Sequence, residues 1–340
     1  MKDDYNGLNK LFKNKKICYI PIYSCFDYKT ERLNFKADGN INRFLTVFNN
    51  VNKYKSIDIF CPIDGNNIDW FESSIDKIFH NYNLIKTDLI RKSAKIERSQ
   101  EFAREIKKIV NFSVYDFIIV EGQHVYLELE DKGYYDKLVY WCPVCATLDK
   151  TRDFLEPFKE LDKYLLSHSK YVILASKDQV KYIKTLNHHK VYQLETLIDP
   201  TLDIFSYNIN QSIIDKISSY KCKIVYLPFR LTDKGYKTKE ILDILYSNFK
   251  DGNHIRIIYS NPNECDIYQF TNDSYMKLWL SNNSEQVSKD RDTYYTIINH
   301  CEVIIPYLED TDFINHAAIY EFKKGKCILC KSIKSFKSML

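Results

Sequence analysis

Short apolar runs rich in β-branched and aromatic residues alternate along the chain with stretches of helical periodicity. Most of the runs are apolar throughout rather than at every second position, a pattern typical of strands buried on both faces of a parallel sheet. The runs predicted to be strands are residues 17–22, 57–63, 117–121, 138–141, 171–176, 191–194, 224–229, 255–259, 303–307 and 327–330.

Between these runs, apolar residues recur at the i, i+3, i+4 and i+7 positions that share one face of a helix. The clearest examples are Ile41, Phe44, Leu45 and Phe48; Phe102, Ile106 and Ile109; and Phe154, Phe158, Leu161 and Leu165. Strands that alternate with helices predict an α/β fold built from parallel sheets with right-handed crossovers.

The alternation stops around residues 196–222 and restarts afterwards. Pro200 disfavours a helix at the residue before it, and residues 206–219 are mostly polar, so we expect an extended crossover there. We therefore divide the chain into two α/β domains, residues 1–205 and 206–340. Two such domains are predicted to face each other across a cleft, with ligands bound beyond the carboxyl ends of the strands.

Composition agrees with this picture and excludes several classes of protein. The chain has 340 residues, enough for two domains of roughly 150 residues each, and 45% hydrophobic with 28% charged residues is a globular composition. Disordered, collagen-like and coiled-coil proteins are therefore excluded. We find no run long and apolar enough to span a membrane and no signal peptide, which predicts a cytoplasmic protein with reduced thiols.

Charge and cysteine spacing point to no nucleic-acid or metal site. The net charge of +4 comes from near-equal, interspersed opposite charges and is too weak to indicate a nucleic-acid binder. Lysines do cluster over residues 13–16 and 323–337, and we interpret both clusters as solvated terminal segments. Two C-x-x-C pairs, Cys142 with Cys145 and Cys327 with Cys330, lie in different predicted domains rather than at the spacing of a zinc ribbon. We interpret all four as small buried residues and predict no bound metal.

The most informative segment follows the first strand of the C-terminal domain. Arg230, Lys234 and Gly235 lie between this predicted strand and a helix that begins near Tyr236. A guanidinium, an ammonium and the N–H groups of a helix N-terminus together suit an anion such as a phosphate. The alternative interpretation is a solvated basic turn that pivots on Gly235.

A second segment reads strand, loop, helix, turn and strand over residues 301–330. Glu321 lies near the end of its helix, where a carboxylate is unfavourable to the helix dipole unless it has another task, such as accepting the hydroxyls of a ribose. His316, near the start of that helix, is a candidate for contact with a sugar or a phosphate. The alternative is that Glu321 pairs with Lys324 or Lys326 on the surface.

Candidates for acid–base chemistry lie in the N-terminal domain. Glu121 and His124 follow a strongly apolar strand, and both residue types titrate usefully when they are partly buried. Asp38 precedes the first long helix and is either a carboxylate that faces the predicted cleft or, as an alternative to Asn40, the N-cap of that helix. The alternative for Glu121 and His124 is a hydrogen-bonding role in a polar loop.

The two C-terminal segments together resemble the donor half of nucleotide-sugar glycosyltransferases of the GT-B fold, most closely the retaining ones. The resemblance implies two Rossmann-like domains, with the acceptor bound by residues 1–205 and the nucleotide sugar by residues 206–340. It also implies that Arg230 and Lys234 hold the diphosphate of a donor, most simply a UDP-sugar, that Glu321 holds the ribose, and that no further cofactor is required.

The sequence departs from that family at several points. Phe313 stands where the retaining enzymes usually have an acidic residue, and Arg230 and Lys234 are one residue closer together than usual. A long loop over residues 24–40 replaces the glycine-rich turn after the first strand. The stereochemical outcome is therefore open. If the reaction inverts the anomeric centre, Asp38, Glu121 or His124 would deprotonate the acceptor.

The acceptor follows from the resemblance only in outline. Bacteriophage glucosyltransferases that modify DNA share the broader fold, so a hydroxymethylated base in phage-type DNA is our first expectation, with the protein in the host cytoplasm. A bacterial surface glycan or a lipid-linked acceptor is the second. The alternative to an enzyme is a non-catalytic module that binds nucleotides or another protein, because a shared fold does not fix a function. The sequence leaves the oligomeric state open.

Overall fold

A computed structural model describes thirteen stretches of the chain: residues 4–23, 32–36, 38–89, 96–149, 153–186, 190–194, 207–228, 231–232, 236–251, 254–260, 266–287, 290–305 and 327–328. The chain divides into two compact units. The first unit comprises Met1–Leu148 and Leu155–Ile198, and the second comprises Asp149–Phe154 and Asp199–Leu340. The predicted division at residue 205 falls in the segment 195–206, which lies outside the described residues.

The first unit is a parallel sheet of seven described strands with the order β3-β2-β1-β4-β5-β6-β7. Its strands are β1 (Lys16–Ile20), β2 (Ser56–Pro62), β3 (Tyr82–Thr87), β4 (Phe117–Val120), β5 (Leu138–Cys142), β6 (Tyr171–Leu174) and β7 (Val191–Gln193). Its helices are α1 (Tyr5–Phe12), α2 (Gly39–Asn50), α3 (Ile68–Ile78), α4 (Ile96–Ile109), α5 (Gln123–Leu129), α6 (Lys159–His168) and α7 (Lys177–Lys184).

The core of the first unit explains why its strands are apolar throughout. Strands β4 and β5 are buried at every position, as expected for central strands covered by helices on both faces. Helix α2 packs on β1 through an aromatic contact, because the rings of Phe44 and Tyr19 stack with their centroids 4.3 Å apart. Phe48 extends this contact at 6.0 Å from Tyr19. These contacts hold α2 against β1, and the side chain of Asn40, near the N-terminus of α2, donates to the Ile22 carbonyl just beyond the carboxyl end of β1.

The second unit contains a smaller parallel sheet of five described strands with the order β10-β9-β8-β11-β12. Its strands are β8 (Lys223–Leu227), β9 (Ile255–Ser260), β10 (Ser284–Val287), β11 (Val303–Ile304) and β12 (Cys327–Ile328). Its helices are α8 (Gln211–Ser219), α9 (Thr238–Phe249), α10 (Ser274–Asn283) and α11 (Arg291–His300). Apolar side chains from α9 and α10 form one core cluster with the sheet, and those from α8 and α11 form another.

The predicted α/β class with parallel sheets is confirmed, and every predicted strand has a counterpart. Two strands, β3 and β10, were not predicted, and each lies at an edge of its sheet. The other two edge strands, β7 and β12, have mostly apolar sequences, whereas β3 and β10 carry polar residues at exposed positions: Asn83, Lys86 and Gln286. They therefore lack the apolar run that identified the others.

The prediction of an extended crossover over residues 206–219 is wrong for its second half, where helix α8 forms. The side chain of Asn210 accepts a hydrogen bond from the N–H of Ile213 and so caps this helix, and Ile217 packs in the core of the second unit. Three isoleucines, Ile213, Ile214 and Ile217, were too few to stand out in a polar stretch.

One predicted helical face also needs correction. Phe102 and Ile106 of α4 are buried as predicted, but Ile109 at its last position is 37% exposed. Among the described residues, no helix is long and apolar enough to cross a membrane.

Candidate functional site

The strand order of the first unit identifies where a ligand should bind. The chain crosses from β1 to β2 on one side of the sheet, and β4 begins the other side, so the order reverses between β1 and β4. In open parallel sheets, ligands bind beyond the carboxyl ends of the two strands at such a switch point. Glu121 directly follows β4, and Ile22 lies just after β1.

Glu121 joins the ends of these two strands. Its Oε1 accepts a hydrogen bond from the Tyr19 hydroxyl at 2.8 Å, and its Oε2 accepts one from the Ile22 N–H, also at 2.8 Å. The residue is only 1% exposed. Each carboxylate oxygen keeps a further lone pair, so the group can still accept a proton.

The pKa of Glu121 is raised to about 7. Burial is the main cause because it disfavours the charged carboxylate, and the negative charge of Asp38 adds to it. The hydrogen bonds from Ile22 and Tyr19 and the positive charge of Arg43 act in the opposite direction. A carboxyl group that is about half ionised near neutral pH is suited to general acid–base chemistry.

Asp38 is the N-cap of α2, as one of its two predicted interpretations required. Its Oδ1 accepts the N–H groups of Asn40 at 2.8 Å and Ile41 at 3.2 Å, and the residue is fully buried. The cap places its charge close enough to raise the pKa of Glu121. A direct catalytic role for Asp38 stays a prediction.

Arg43 is a member of this cluster that sequence reasoning missed. It lies on α2 at 4% exposure, and its guanidinium donates to the Asn40 side-chain oxygen at 3.1 Å. Asn40 in turn donates to the Ile22 carbonyl at 2.9 Å. The one available signal was an arginine within an apolar helix, between Ile41 and Phe44, since a charged residue is rarely buried without a partner.

His124 lies three residues after Glu121, in the first turn of α5, and is partly buried. Burial lowers its pKa, so the ring is neutral at physiological pH. The ring packs edge-on against Phe158 with the centroids 6.1 Å apart. Gln123, the residue before His124, donates a hydrogen bond from its side-chain amide to the Asp162 carboxylate at 2.8 Å. The structure thus brings Asp38 and Glu121 into electrostatic contact, while the role of His124 stays a prediction.

The predicted donor-binding residues Arg230, Lys234, Gly235, His316 and Glu321 lie outside the described residues. The strands that precede them are described. In the second sheet the order reverses between β8 and β11. The segment with Arg230, Lys234 and Gly235 leaves β8, and the segment with His316 and Glu321 leaves β11. Both segments therefore begin at the two neighbouring strands where a ligand is expected.

Tyr236, which follows the first of these segments, is hydrogen-bonded to Ile305, which precedes the second. It is fully buried, and its hydroxyl donates to the Ile305 carbonyl, just after β11, at 2.8 Å. Thr238, the first residue of α9, donates its hydroxyl to the carbonyls of Leu231 and Tyr236. These hydrogen bonds fix the return of the chain from β8 into α9.

We expect Tyr236→Phe to lower the free energy of unfolding by about 1 kcal/mol, because it removes a buried hydrogen bond and leaves the Ile305 carbonyl without this donor. Chemical denaturation measures the change. Tyr275→Phe, at a position that is 76% exposed, is the matched control and should change stability by less than about 0.5 kcal/mol. Equal stabilities of the two variants would contradict this role for the Tyr236 hydroxyl.

Among the described residues, one group offers ligand atoms for a metal: Cys142, Cys145 and Asp162. Both cysteines are buried, as predicted. Cys327 and Cys330 lie where no side chain is described.

Comparisons with known proteins support the fold. No family model matches the sequence, and no curated protein matches it. Solved structures do. Sucrose-phosphate synthase from Thermosynechococcus elongatus matches with a TM-score of 0.64 and 13% identity over 94% of this chain and 82% of its own. Anabaena HepE in complex with UDP and glucose matches at 0.59 and 11% identity over 96% and 83%.

A glycosyltransferase from Rickettsia africae matches with a TM-score of 0.53 and 15% identity over 94% of this chain and 80% of its own. At these identities the likeness shows the fold: two Rossmann-like units of the GT-B type, as the C-terminal motifs predicted.

Proposed function

We propose that this chain is a glycosyltransferase that moves a sugar from a nucleotide sugar, most simply a UDP-sugar, to an acceptor hydroxyl. One observation carries the proposal. The segment with Arg230 and Lys234 and the segment with His316 and Glu321 leave the two neighbouring strands, β8 and β11, at which the order of the second sheet reverses. Residues 206–340 would form the donor domain and residues 1–205 the acceptor domain.

The fold comparisons support the choice of donor. HepE was solved with UDP, with UDP-glucose and with UDP and glucose, and its likeness to this chain extends over 96% of the residues. A shared fold does not by itself fix a function. The donor proposal therefore rests on that likeness together with the positions of the cationic and acidic residues.

In the proposed reaction, the bond between the anomeric carbon and the phosphate oxygen breaks, and the acceptor oxygen forms the new glycosidic bond. Negative charge develops on the departing diphosphate. Arg230 and Lys234 would stabilise that charge more in the transition state than in the bound donor, which lowers the barrier. Gly235 would allow the backbone to approach the phosphate, Glu321 would accept the ribose hydroxyls, and His316 would contact the sugar or the phosphate.

On the acceptor side, Glu121 is the strongest candidate for the group that removes the hydroxyl proton. Its pKa near 7 matches the pH at which a general base is most effective. Asp38 would act mainly through its charge, which helps to raise that pKa. His124 is the second candidate base. This assignment applies to an inverting reaction; in a retaining one these residues would bind and orient the acceptor.

The donor site is tested by thermal unfolding with UDP, GDP, CMP and their sugars. A nucleotide at 100 times its dissociation constant should favour the folded protein about 100-fold, which raises the melting temperature measurably. We expect one nucleotide to stabilise the wild type and to lose that effect in Arg230→Ala and Lys234→Ala. Lys239→Ala is the matched control, because Lys239 is exposed on α9 and pairs with Asp243.

The outcomes distinguish the proposal from its alternatives. Stabilisation of the wild type and of Lys239→Ala, but not of the other two variants, supports the donor site. No stabilisation by any nucleotide would overturn the donor site. Nucleotide binding without sugar transfer to any acceptor would favour the non-catalytic binding module.

The acceptor that we propose first is a hydroxymethylated base in DNA. Its support is the family resemblance, and the weak net charge of the chain, +4, gives it no further support. Transfer of labelled sugar to DNA containing hydroxymethylcytosine, with unmodified DNA as the control, tests it. Transfer to a lipid-linked or surface glycan instead would contradict DNA as the acceptor and would leave the proposed donor site unchanged.

A further inference from the structure

Three side chains with metal-binding atoms meet beside the carboxyl end of β5. Cys142 is the last residue of that strand, Cys145 follows in the next turn, and Asp162 comes from helix α6. One ligand atom from each lies within 4.8 Å of the other two. All three residues are fully buried. Two sulfur atoms and a carboxylate oxygen at this separation are a set that a single ion can bridge.

The turn after β5 is built around this group. The N–H of Leu148 donates to the Cys145 carbonyl at 3.1 Å, which closes the turn. The N–H of Ala146 donates to Asp162 Oδ2 at 2.7 Å, so the turn and α6 are already joined at the same carboxylate. The Cys142 thiol donates to the Val144 carbonyl at 3.5 Å, a weak hydrogen bond that a thiolate would give up.

Asp162 retains a free position for an ion. Its Oδ1 accepts hydrogen bonds from the Gln123 amide and the Tyr140 hydroxyl, which occupy both lone pairs of that oxygen. Its Oδ2 accepts the Ala146 N–H and keeps one lone pair, on the oxygen that is hydrogen-bonded to the cysteine turn. Hydrogen bonds that orient a carboxylate in this way commonly surround metal ligands.

We propose that Cys142, Cys145 and Asp162 bind a zinc ion. Thiolate sulfur favours zinc over magnesium or calcium, and two cysteines separated by two residues are a common part of structural zinc sites. A water or a further side chain would complete the tetrahedral coordination. The sequence alone missed the site because its third ligand lies on a separate helix, with no fixed spacing from the cysteine pair.

The zinc would have a structural role. It would fasten the turn at residues 143–148 to α6, and Gln123 connects the same carboxylate to the start of α5. Since α5 begins two residues after Glu121, the ion would stabilise the part of the first unit that adjoins the proposed base. The inference does not depend on the proposed function, and its tests need no turnover.

The first test is metal content. We expect about one zinc per chain in the purified wild type by mass spectrometry of the digested protein, and loss of that zinc in Cys142→Ser, Cys145→Ser and Asp162→Asn. Cys61→Ser is the matched control, because Cys61 is likewise a buried cysteine of the first unit. Equal zinc in Cys145→Ser and Cys61→Ser would overturn the site.

A second test uses only the wild-type chain and so avoids variants that fail to fold. After removal of metal by a chelator, zinc at 100 times its dissociation constant should favour the folded protein about 100-fold. Cobalt in its place should give the visible absorption of a tetrahedral ion bound to thiolates. Unchanged stability with zinc and no such absorption with cobalt would overturn the proposal, and so would a disulfide between Cys142 and Cys145 in the native protein.

Discussion

Replacing Glu121 with glutamine is expected to reduce the turnover number for sugar transfer by about 10²–10⁴-fold, the usual contribution of a general base. Glutamine has nearly the same shape as the protonated carboxyl but cannot accept the proton of the acceptor hydroxyl. The reduction should appear in kcat measured at saturating donor and acceptor. Donor binding should be unchanged, because the residues proposed to hold the nucleotide lie in the other unit.

The surroundings of Glu121 make glutamine a fair substitute. The Ile22 N–H can donate to the amide oxygen, and the Tyr19 hydroxyl can turn to accept from the amide nitrogen. Glu240→Gln, on the exposed face of α9, is the matched control and should keep the wild-type rate. Wild-type kcat in Glu121→Gln would show that Glu121 only holds β1 and β4 together.

The pH dependence gives an independent check on the same assignment. A base with a pKa of about 7 must lose its proton before it can act, so the wild-type rate should rise as the pH passes through 7. The residual rate of Glu121→Gln should lack this rise. If the rate of Glu121→Gln still rose with pH, the titrating group would be a different one, and His124 would be the first to test.

The fold was largely predictable because most of its strands are buried on both faces. A central parallel strand such as β4 has no exposed side, so its residues are apolar at every position, and the run is visible without knowledge of its neighbours. Strands β3 and β10 were not predictable in this way. Each has a neighbour on only one side, and this leaves positions for polar residues.

The candidate site was predictable in position but not in its electrostatics. Glu121 stood out because it directly follows an apolar strand, and the strand order then places that strand at the switch point. Its raised pKa depends on how deeply it is buried and on the charges of Asp38 and Arg43, which come from a different part of the chain. Such long-range packing has no local signature in the sequence. The same limit applies to the pairing of Asp162 with the two cysteines.

The stability of the protein should also report the pKa of Glu121. In the unfolded chain the group titrates at its ordinary pKa of 4.5, and in the folded protein it titrates at about 7. Between these values the folded protein binds more protons than the unfolded chain, so its stability falls as the pH rises. The stabilisation is fully present below pH 4.5 and is lost as the pH rises through about 7.

Over that range the wild type should lose about 3 kcal/mol of unfolding free energy through this one group, since each unit of pKa corresponds to about 1.4 kcal/mol. Glu121→Gln cannot titrate and should show no such contribution. Denaturant unfolding of both proteins across this pH range measures the difference between their free energies of unfolding. The contributions of the other titrating groups, including the histidines, largely cancel in that difference. Tyr19, Arg43 and Asp38 face Glu121 in both proteins.

The sign of this difference separates two interpretations of the buried carboxyl. If Glu121 served only as a charged partner for Arg43, its pKa would be depressed, and the wild type would gain stability relative to the variant as the pH rose. A raised pKa requires the opposite trend, because burial outweighs the attraction of Arg43. Parallel stability curves for the two proteins would remove the physical basis for Glu121 as a base near neutral pH.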